Sequence, residues 1–338
     1  MKKLGLIMLF ALLIMTFYGC GSNDPVASPT PAATQPANVD DGGDAVQQVI
    51  QMGFSIAGEG AFYDQLKKDI EAACAAKGYT FTLLSSPTAS QQVSDISELL
   101  ASGISVLVVG PADVDVLETV LAECETEGVP VINLIDPING RVSTLVSPDY
   151  SLVGQHAAER AIHLFGETGA NCLVLKTDYD SFIMQLLSDG FAKKLAENEK
   201  LSLVSEQYCG DDGEQAYELA KTELQSTEKA IGFIFAQNAV LAHGALQAIE
   251  ETGSAAKLVA FAGDMDLVAA VASGQMDAAI SIGPEEAANT AVENAGKLLN
   301  DPAFVPPPFL QLDVDVITVD NAAEYNSEEL LHAQVKTE

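Results

Sequence analysis

The chain has 338 residues, 48% of them hydrophobic, with 16 Lys and Arg against 48 Asp and Glu and a formal net charge of −32. So acidic a surface repels phosphate backbones, which excludes nucleic acid as a partner. The apolar content suffices for full-sized cores, and a globular body of roughly 290 residues exceeds what one core usually holds, so two domains are expected.

Lys2 and Lys3 precede an apolar run over 4–17, which Gly19 and Cys20 close. A positive start, a short apolar core and a small residue before cysteine form the arrangement of a bacterial lipoprotein signal. Residues 1–19 are therefore expected to be removed and Cys20 to carry a lipid. The run is shorter than the ~20 apolar residues that a membrane-crossing helix needs. Segment 20–47 is rich in Ser, Pro, Thr and Ala, with too few large apolar residues to offset the entropy of ordering. It is expected to be a disordered tether that holds an extracytoplasmic body at the bacterial membrane.

Beyond the tether, short apolar runs at 50–56, 81–84, 106–109 and 131–135, and a weaker one at 144–146, alternate with helix-period segments at 63–77, 90–102 and 114–127. Gly78, Gly103 and Gly128 follow those segments, where a left-handed residue ends a helix. The rhythm then repeats. A helix over 152–165 leads to strands at 172–176, 201–206, 230–236, 258–262 and 278–282, with helices between them. A last helix over 285–299 precedes the Pro-rich stretch 302–308 and a terminal strand region, 310–319. Strand and helix in alternation predict two doubly wound, Rossmann-like parallel-sheet α/β domains. Open α/β sheets bind ligands at their carboxyl ends, so a site is expected in the cleft between the domains.

Cysteine usage adds no framework. Cys74 continues the helical stripe Phe62, Leu66, Ile70, and Cys124 the stripe Val114, Leu117, Leu121. In a doubly wound sheet these helices lie on opposite faces, beyond disulfide reach. Cys172 opens an apolar strand and Cys209 falls in a loop, so four free thiols are expected. There is no CxxC or His/Cys metal spacing. Nor is there a GxSxG elbow, a phosphate loop, an HExxH helix or a GxGxxG turn. Neither a metal, a cofactor nor an enzymatic activity is expected.

Gly78-Tyr79, Ala101-Ser102-Gly103-Ile104, Gly128-Val129-Pro130-Val131-Ile132, Phe235-Ala236-Gln237-Asn238 and Gly244-Ala245-Leu246 carry a resemblance by their order and spacing. Over 51–319 the chain resembles the periplasmic-binding-protein fold of type I, specifically the sugar- and ribose-type substrate-binding lipoproteins of ABC importers. The resemblance implies a three-segment hinge near 147–149, 283–285 and 313–315. It implies an N-terminal lobe of 48–148 plus 285–313, a C-terminal lobe of 149–284 plus 314–325, and a tail over 326–338.

It also implies that Phe62 and Tyr63 stack on a ligand ring and that the Asn238 amide binds a hydroxyl. The family's Asp-Arg pair after the fourth strand reads Ile135-Asp136 here, its second-domain arginine falls near Gln185, its later aspartate reads Ala262 with Asp264 two residues on, and its glutamine near the second crossing reads Gly283. Ribose itself is thereby disfavoured. The candidate ligand residues are Glu59, Phe62, Tyr63, Asp136, Asp149, Asp178, Gln185, Gln237, Asn238 and Asp264. Asp149 and Asn238 could instead cap helices, and Asp136 could be a turn residue. With only Arg141 and Arg160 in the chain, an anionic ligand is disfavoured against a neutral polyol or an amine.

The resemblance implies a monomeric, extracytoplasmic solute-binding lipoprotein that captures a small polar solute, carbohydrate favoured, by hinge closure. Its partner would be an ABC permease in the membrane. The alternative is a sensing lipoprotein that presents its closed form to a membrane receptor.

Overall fold

The computed structural model describes residues 51–325 except 59, 114 and 178–180. The signal segment, Cys20, the tether, the tail 326–338 and the candidates Glu59 and Asp178 lie outside the described residues.

The first half of the chain runs β1 (Gln51–Ile56), α1 (Ala61–Lys77), β2 (Thr80–Ser85), α2 (Ala89–Ala101), β3 (Val106–Gly110), α3 (Glu118–Glu127), β4 (Val131–Leu134) and β5 (Thr144–Pro148). The second half runs α4 (Tyr150–Phe165), β6 (Ala170–Lys176), α5 (Phe182–Leu195), β7 (Leu201–Tyr208), α6 (Gly213–Gln225), β8 (Ile231–Ala236), α7 (Ala239–Thr252), β9 (Lys257–Phe261), α8 (Met265–Ala272) and β10 (Ala278–Ser281). After these come α9 (Pro284–Asn300), β11 (Phe309–Leu312), β12 (Asp315–Thr318) and the single turn α10 (Ala322–Tyr325). Two six-stranded sheets result, in the orders β11-β5-β4-β3-β1-β2 and β12-β10-β9-β8-β6-β7. Only β12, on the edge of the second sheet, runs antiparallel to its neighbour.

Strands buried on both faces must be apolar on both, and alternate residues part into separate layers. Val106 and Val108 join Met52, Phe54 and Ile56 under α1 and α9, while Leu107 and Val109 pack on the other face with α2 and α3. In the second sheet Cys172 and Val174 face α4 and α5, and Leu173 and Leu175 face α6, α7 and α8. Each of the four layers holds one cysteine: Cys74, Cys124, Cys172 and Cys209. All four are free and buried. Burial pushes the Cys74 and Cys124 thiols up to about 11 and Cys172 up to about 12.

The helix expected from 114 begins only at Glu118. The Asp113 carboxylate accepts the Asp115 N–H at 2.9 Å, a local turn that competes with helical pairing. The α4 and α5 backbones touch where Gly154 and Gly190 leave room. A Cβ on Gly154 would lie 2.0 Å from the Leu187 carbonyl oxygen, and one on Gly190 2.1 Å from that of Ser151.

The chain passes between the sheets three times: from β5 to α4, from β10 to α9, and from β11 to β12. Ile282, just past β10, is buried in the core under α1 and α9, and Val314 packs against that core and the one beneath α4 and α5. The Glu286 carboxylate accepts the Asp313 N–H at 3.2 and 3.3 Å, tying the second crossing to the third.

Two outcomes follow for the packing. Gly154→Ala should destabilise the chain by at least the ~1–3 kcal/mol typical of an overpacked core, read as a lower urea midpoint. In the native protein Cys74, Cys124, Cys172 and Cys209 should stay unreactive towards DTNB near pH 8 and react on unfolding, because thiolate and access are both withheld.

Candidate functional site

The carboxyl end of the first sheet is shaped by two close approaches of side chain to backbone. After β1, Gly58 has φ +99, and a Cβ there would lie 2.5 Å from the Tyr63 ring. Glycine therefore lets the ring lie on the main chain. Phe62 meets that ring edge-to-face, with centroids 5.2 Å apart, and both side chains remain partly exposed.

After β4 the chain turns back through Ile135, whose φ is +71. A β-branched residue in the left-handed region costs of order 1–3 kcal/mol and persists only where its surroundings hold it. Here they do. The Ile135 N–H donates to the Val146 carbonyl at 2.8 Å, and its own carbonyl accepts from Ser147 Oγ. Buried Asn133 holds the following turn, donating from Nδ2 to the Asp136 carbonyl at 2.9 Å and accepting the Ile138 N–H at 3.2 Å.

The turn places Asp136 against the other lobe. The Tyr150 hydroxyl, at the start of α4, donates to Asp136 Oδ1 at 3.0 Å. The Tyr150 ring meets Phe261 of β9 edge-to-face at 6.0 Å. Two edge-to-face pairs, Phe62 with Tyr63 in the first lobe and buried Tyr150 with Phe261 in the second, thus stand near one carboxyl. Burial raises the Asp136 pKa, and the Tyr150 hydrogen bond offsets this in part. Burial and, secondarily, the Asp136 charge push both tyrosine hydroxyls well above their usual range. Among the described residues no Lys or Arg pairs with Asp136. Arg160 makes a two-pronged bond to Asp277 at 2.9 and 3.1 Å, and buried Lys176 pairs with Glu206. Arg141 pairs with Glu125 of α3. It lies two residues before Ser143, which bonds the first residue of β4, and so sits at the amino end of the sheet.

The remaining candidates divide by what already occupies them. The Asp149 carboxylate is exposed and caps α4, accepting from the Ser151 and Leu152 N–H groups at 3.0 and 3.3 Å. Asn238 caps α7 through the Leu241 N–H at 2.9 Å and donates to Asp211 at 2.7 Å. Gln237 is wholly buried, its Nε2 donating to the Met184 carbonyl at 2.9 Å and Ser188 Oγ at 2.8 Å, which fixes α5 to β8. Gln185 on α5 is exposed and Asp264 before α8 is partly exposed, and neither side chain has a partner among the described residues.

Residues 52–302 match the family model of the periplasmic binding protein domain. The chain belongs to that family. It is 27% identical over 241 residues to the ribose import binding protein RbsB of Bacillus subtilis, covering 71% of this chain and 78% of that one. The D-xylose-binding periplasmic protein of Escherichia coli is 26% identical over 218 residues, covering 62% of this chain and 65% of that one. Among solved structures, an ABC transporter solute-binding protein from Mycobacterium smegmatis with bound glycerol has a TM-score of 0.73 at 24% identity, covering 83% of this chain and 98% of that one. One from Actinobacillus succinogenes with bound D-allose has a TM-score of 0.74 at 20% identity, covering 82% of this chain and 100% of that one. These structural likenesses establish the fold.

In this periplasmic binding protein the sequence reading overlooked Tyr150, although an aromatic beside the expected crossing residue Asp149 was a usable signal. It also overlooked a buried polar network at the carboxyl ends of β1, β2 and β3. Ser86 bonds Ser55 at 3.0 Å and donates to Asp95 at 2.8 Å, while Gln92 Nε2 donates to the Gly110 carbonyl at 2.8 Å and Oε1 accepts the Ala112 N–H at 2.7 Å. No local pattern reveals these partners. Among the described residues no cluster of His, Cys, Asp and Glu could hold a metal ion, and no helix is long and apolar enough to cross a membrane.

A carboxyl whose folded pKa is raised is most compatible with the fold below its unfolded value of about 3.9, and it weakens the fold as pH rises through the folded value. Asp136→Asn should therefore raise the melting temperature at pH 7, with the gain shrinking as pH falls towards about 4, measured by thermal unfolding across pH.

Proposed function

We propose that this chain is the extracytoplasmic solute-binding component of an ABC importer, capturing a small polar solute, a sugar or sugar-like polyol, between its lobes. The observation that carries the reading is the pair of aromatic contacts, Phe62 with Tyr63 and Tyr150 with Phe261, contributed by the two lobes near Asp136 beside a crossing. Aromatic faces suit the apolar C–H face of a sugar ring, and carboxyl and amide groups suit its hydroxyls. Phe62, Tyr63, Asp136, Gln185 and Asp264 are the proposed contacts. Asp149, Gln237 and Asn238 would position the helices that frame them.

The relatives named for ribose and xylose import, and the structures holding glycerol and D-allose, support a carbohydrate-like solute. The mechanism is hinge closure. A solute touching both lobes binds the closed form better than the open one and shifts the population towards it. The lobes would be those expected, 48–148 plus 285–313 and 149–284 plus 314–325, turning about the three crossings. The closed monomer would then meet a membrane permease, kept close by a lipid on Cys20 and the tether behind it.

A thermal-shift screen of the purified chain against pentoses, hexoses, polyols, nucleosides and amino acids tests this. A solute at 100 times its Kd should add about 2.7 kcal/mol of stability, and Phe62→Ala should abolish the shift. A panel without any shift, or a shift unchanged in Phe62→Ala, would sink the reading.

A further inference from the structure

The charge around the crossing is one-sided. Asp136 is close enough to Tyr63 for its charge to act on that hydroxyl, and among the described residues its carboxylate has one neutral donor, the Tyr150 hydroxyl on Oδ1. Asp264 stands at the carboxyl end of β9 in the other lobe, and its carboxylate does not cap α8. The cations that could balance them are engaged elsewhere: Arg141 with Glu125, Arg160 with Asp277, and Lys176 with Glu206 beneath the Tyr208 ring. Asp136 is partly withdrawn from water, and a carboxylate so placed gains from a counter-charge, because desolvation without one is costly. Among the described residues no Lys or Arg pairs with Asp136 or Asp264.

The surroundings narrow what could. A hard metal ion takes six or more oxygen ligands, whereas Asp136 is flanked by rings and no metal-binding cluster exists among the described residues. Aromatic faces attract organic cations, and a carboxylate hydrogen-bonds an ammonium strongly. The Tyr63 and Tyr150 rings are each held by an edge-to-face neighbour, Phe62 and Phe261, and Tyr63 keeps a partly exposed surface while Tyr150 is buried behind its hydroxyl contact to Asp136. Exposed Gln185 retains neutral polar capacity for hydroxyls.

We propose that the solute is an amino sugar, a hydroxylated ring bearing a protonated amine, with Asp136 as its counter-charge beside the Tyr63 and Tyr150 rings. The proposal rests on the solute-binding reading above and specifies its ligand. Two consequences separate it from capture of a neutral sugar. Affinity for the amine should fall as pH drops and Asp136 takes up a proton; the titratable groups facing it, Tyr63 from α1 and Tyr150 from α4, stay neutral throughout that range. Added salt should weaken the amine and leave a neutral sugar unmoved.

The test is calorimetric titration of the purified chain with matched trios: glucosamine, N-acetylglucosamine and glucose, then the galacto and manno series. In at least one series the free amine should bind roughly tenfold or more tighter than both neutral members, and Asp136→Asn should remove that advantage. Because the trio is compared first on the unaltered chain, the result does not depend on the variant's folding. A neutral sugar bound as tightly as its amine would overturn the amino-sugar proposal while leaving solute binding in place. Binding of no member of any series, with no shift in the wider screen, would remove both.

Discussion

A parallel strand cannot be followed directly by its neighbour; the chain must first cross back over the sheet, and a helix is the stable way to do so. That constraint governs nearly everything in this molecule. It gives each sheet helices on both faces, and so four apolar layers in place of one. It also gathers at one end of each sheet the turns that lead from strand to helix. Polar and strained groups collect there because backbone that is neither strand nor helix must find its hydrogen bonds from side chains. Gln92, Ser86 and Asp95 do this in the first lobe, and Gln237 with Ser188 in the second.

The exception to the rule is informative. β4 and β5 pair in parallel, yet segment 135–143 joins them without a helix. So short a return demands an abrupt reversal, and Ile135 supplies it at φ +71 with its side chain still buried. The strain is held by Ser147 and Val146 from β5 and by Asn133 from β4. What the reversal achieves is placement: Asp136 is carried out of the first lobe's sheet and onto Tyr150, the first residue of α4 after the crossing. A strained backbone, a half-buried carboxyl and the point where the lobes join are therefore one feature.

Much of this architecture was legible in the sequence because burial on both faces writes itself locally. β3 and β6 contain continuous apolar stretches at 106–109 and 172–175, and Gly78 and Gly128 mark helix ends with left-handed φ of 69 and 73. The start of α3 was not legible, since the Asp113 side chain captures a nearby N–H that helical periodicity ignores. The candidate ligand residues were legible only as types. Asp149 and Asn238 suit a ligand or a helix cap equally well on paper, and in the structure both cap helices. Gln92 and Asp95 look like the polar side of a surface helix. Their partners at Gly110 and Ser86 come from other strands, and no window along the chain contains them all.

In the proposed reading Asp136 also connects stability with function. Its carboxyl is raised by burial, so in the absence of a solute its ionised form weakens the native state. A residue that only braced the crossing would do better as a neutral amide, with the same shape and no charge to desolvate. Retaining the carboxyl makes sense where something absent from the chain completes it. A solute bound there as proposed would relieve the desolvation of Asp136 and, because Asp136 is bonded to Tyr150 of the other lobe, would favour the arrangement in which both lobes contribute. Binding energy and lobe arrangement are then coupled through the same few atoms, and the coupling needs no contact at a distance.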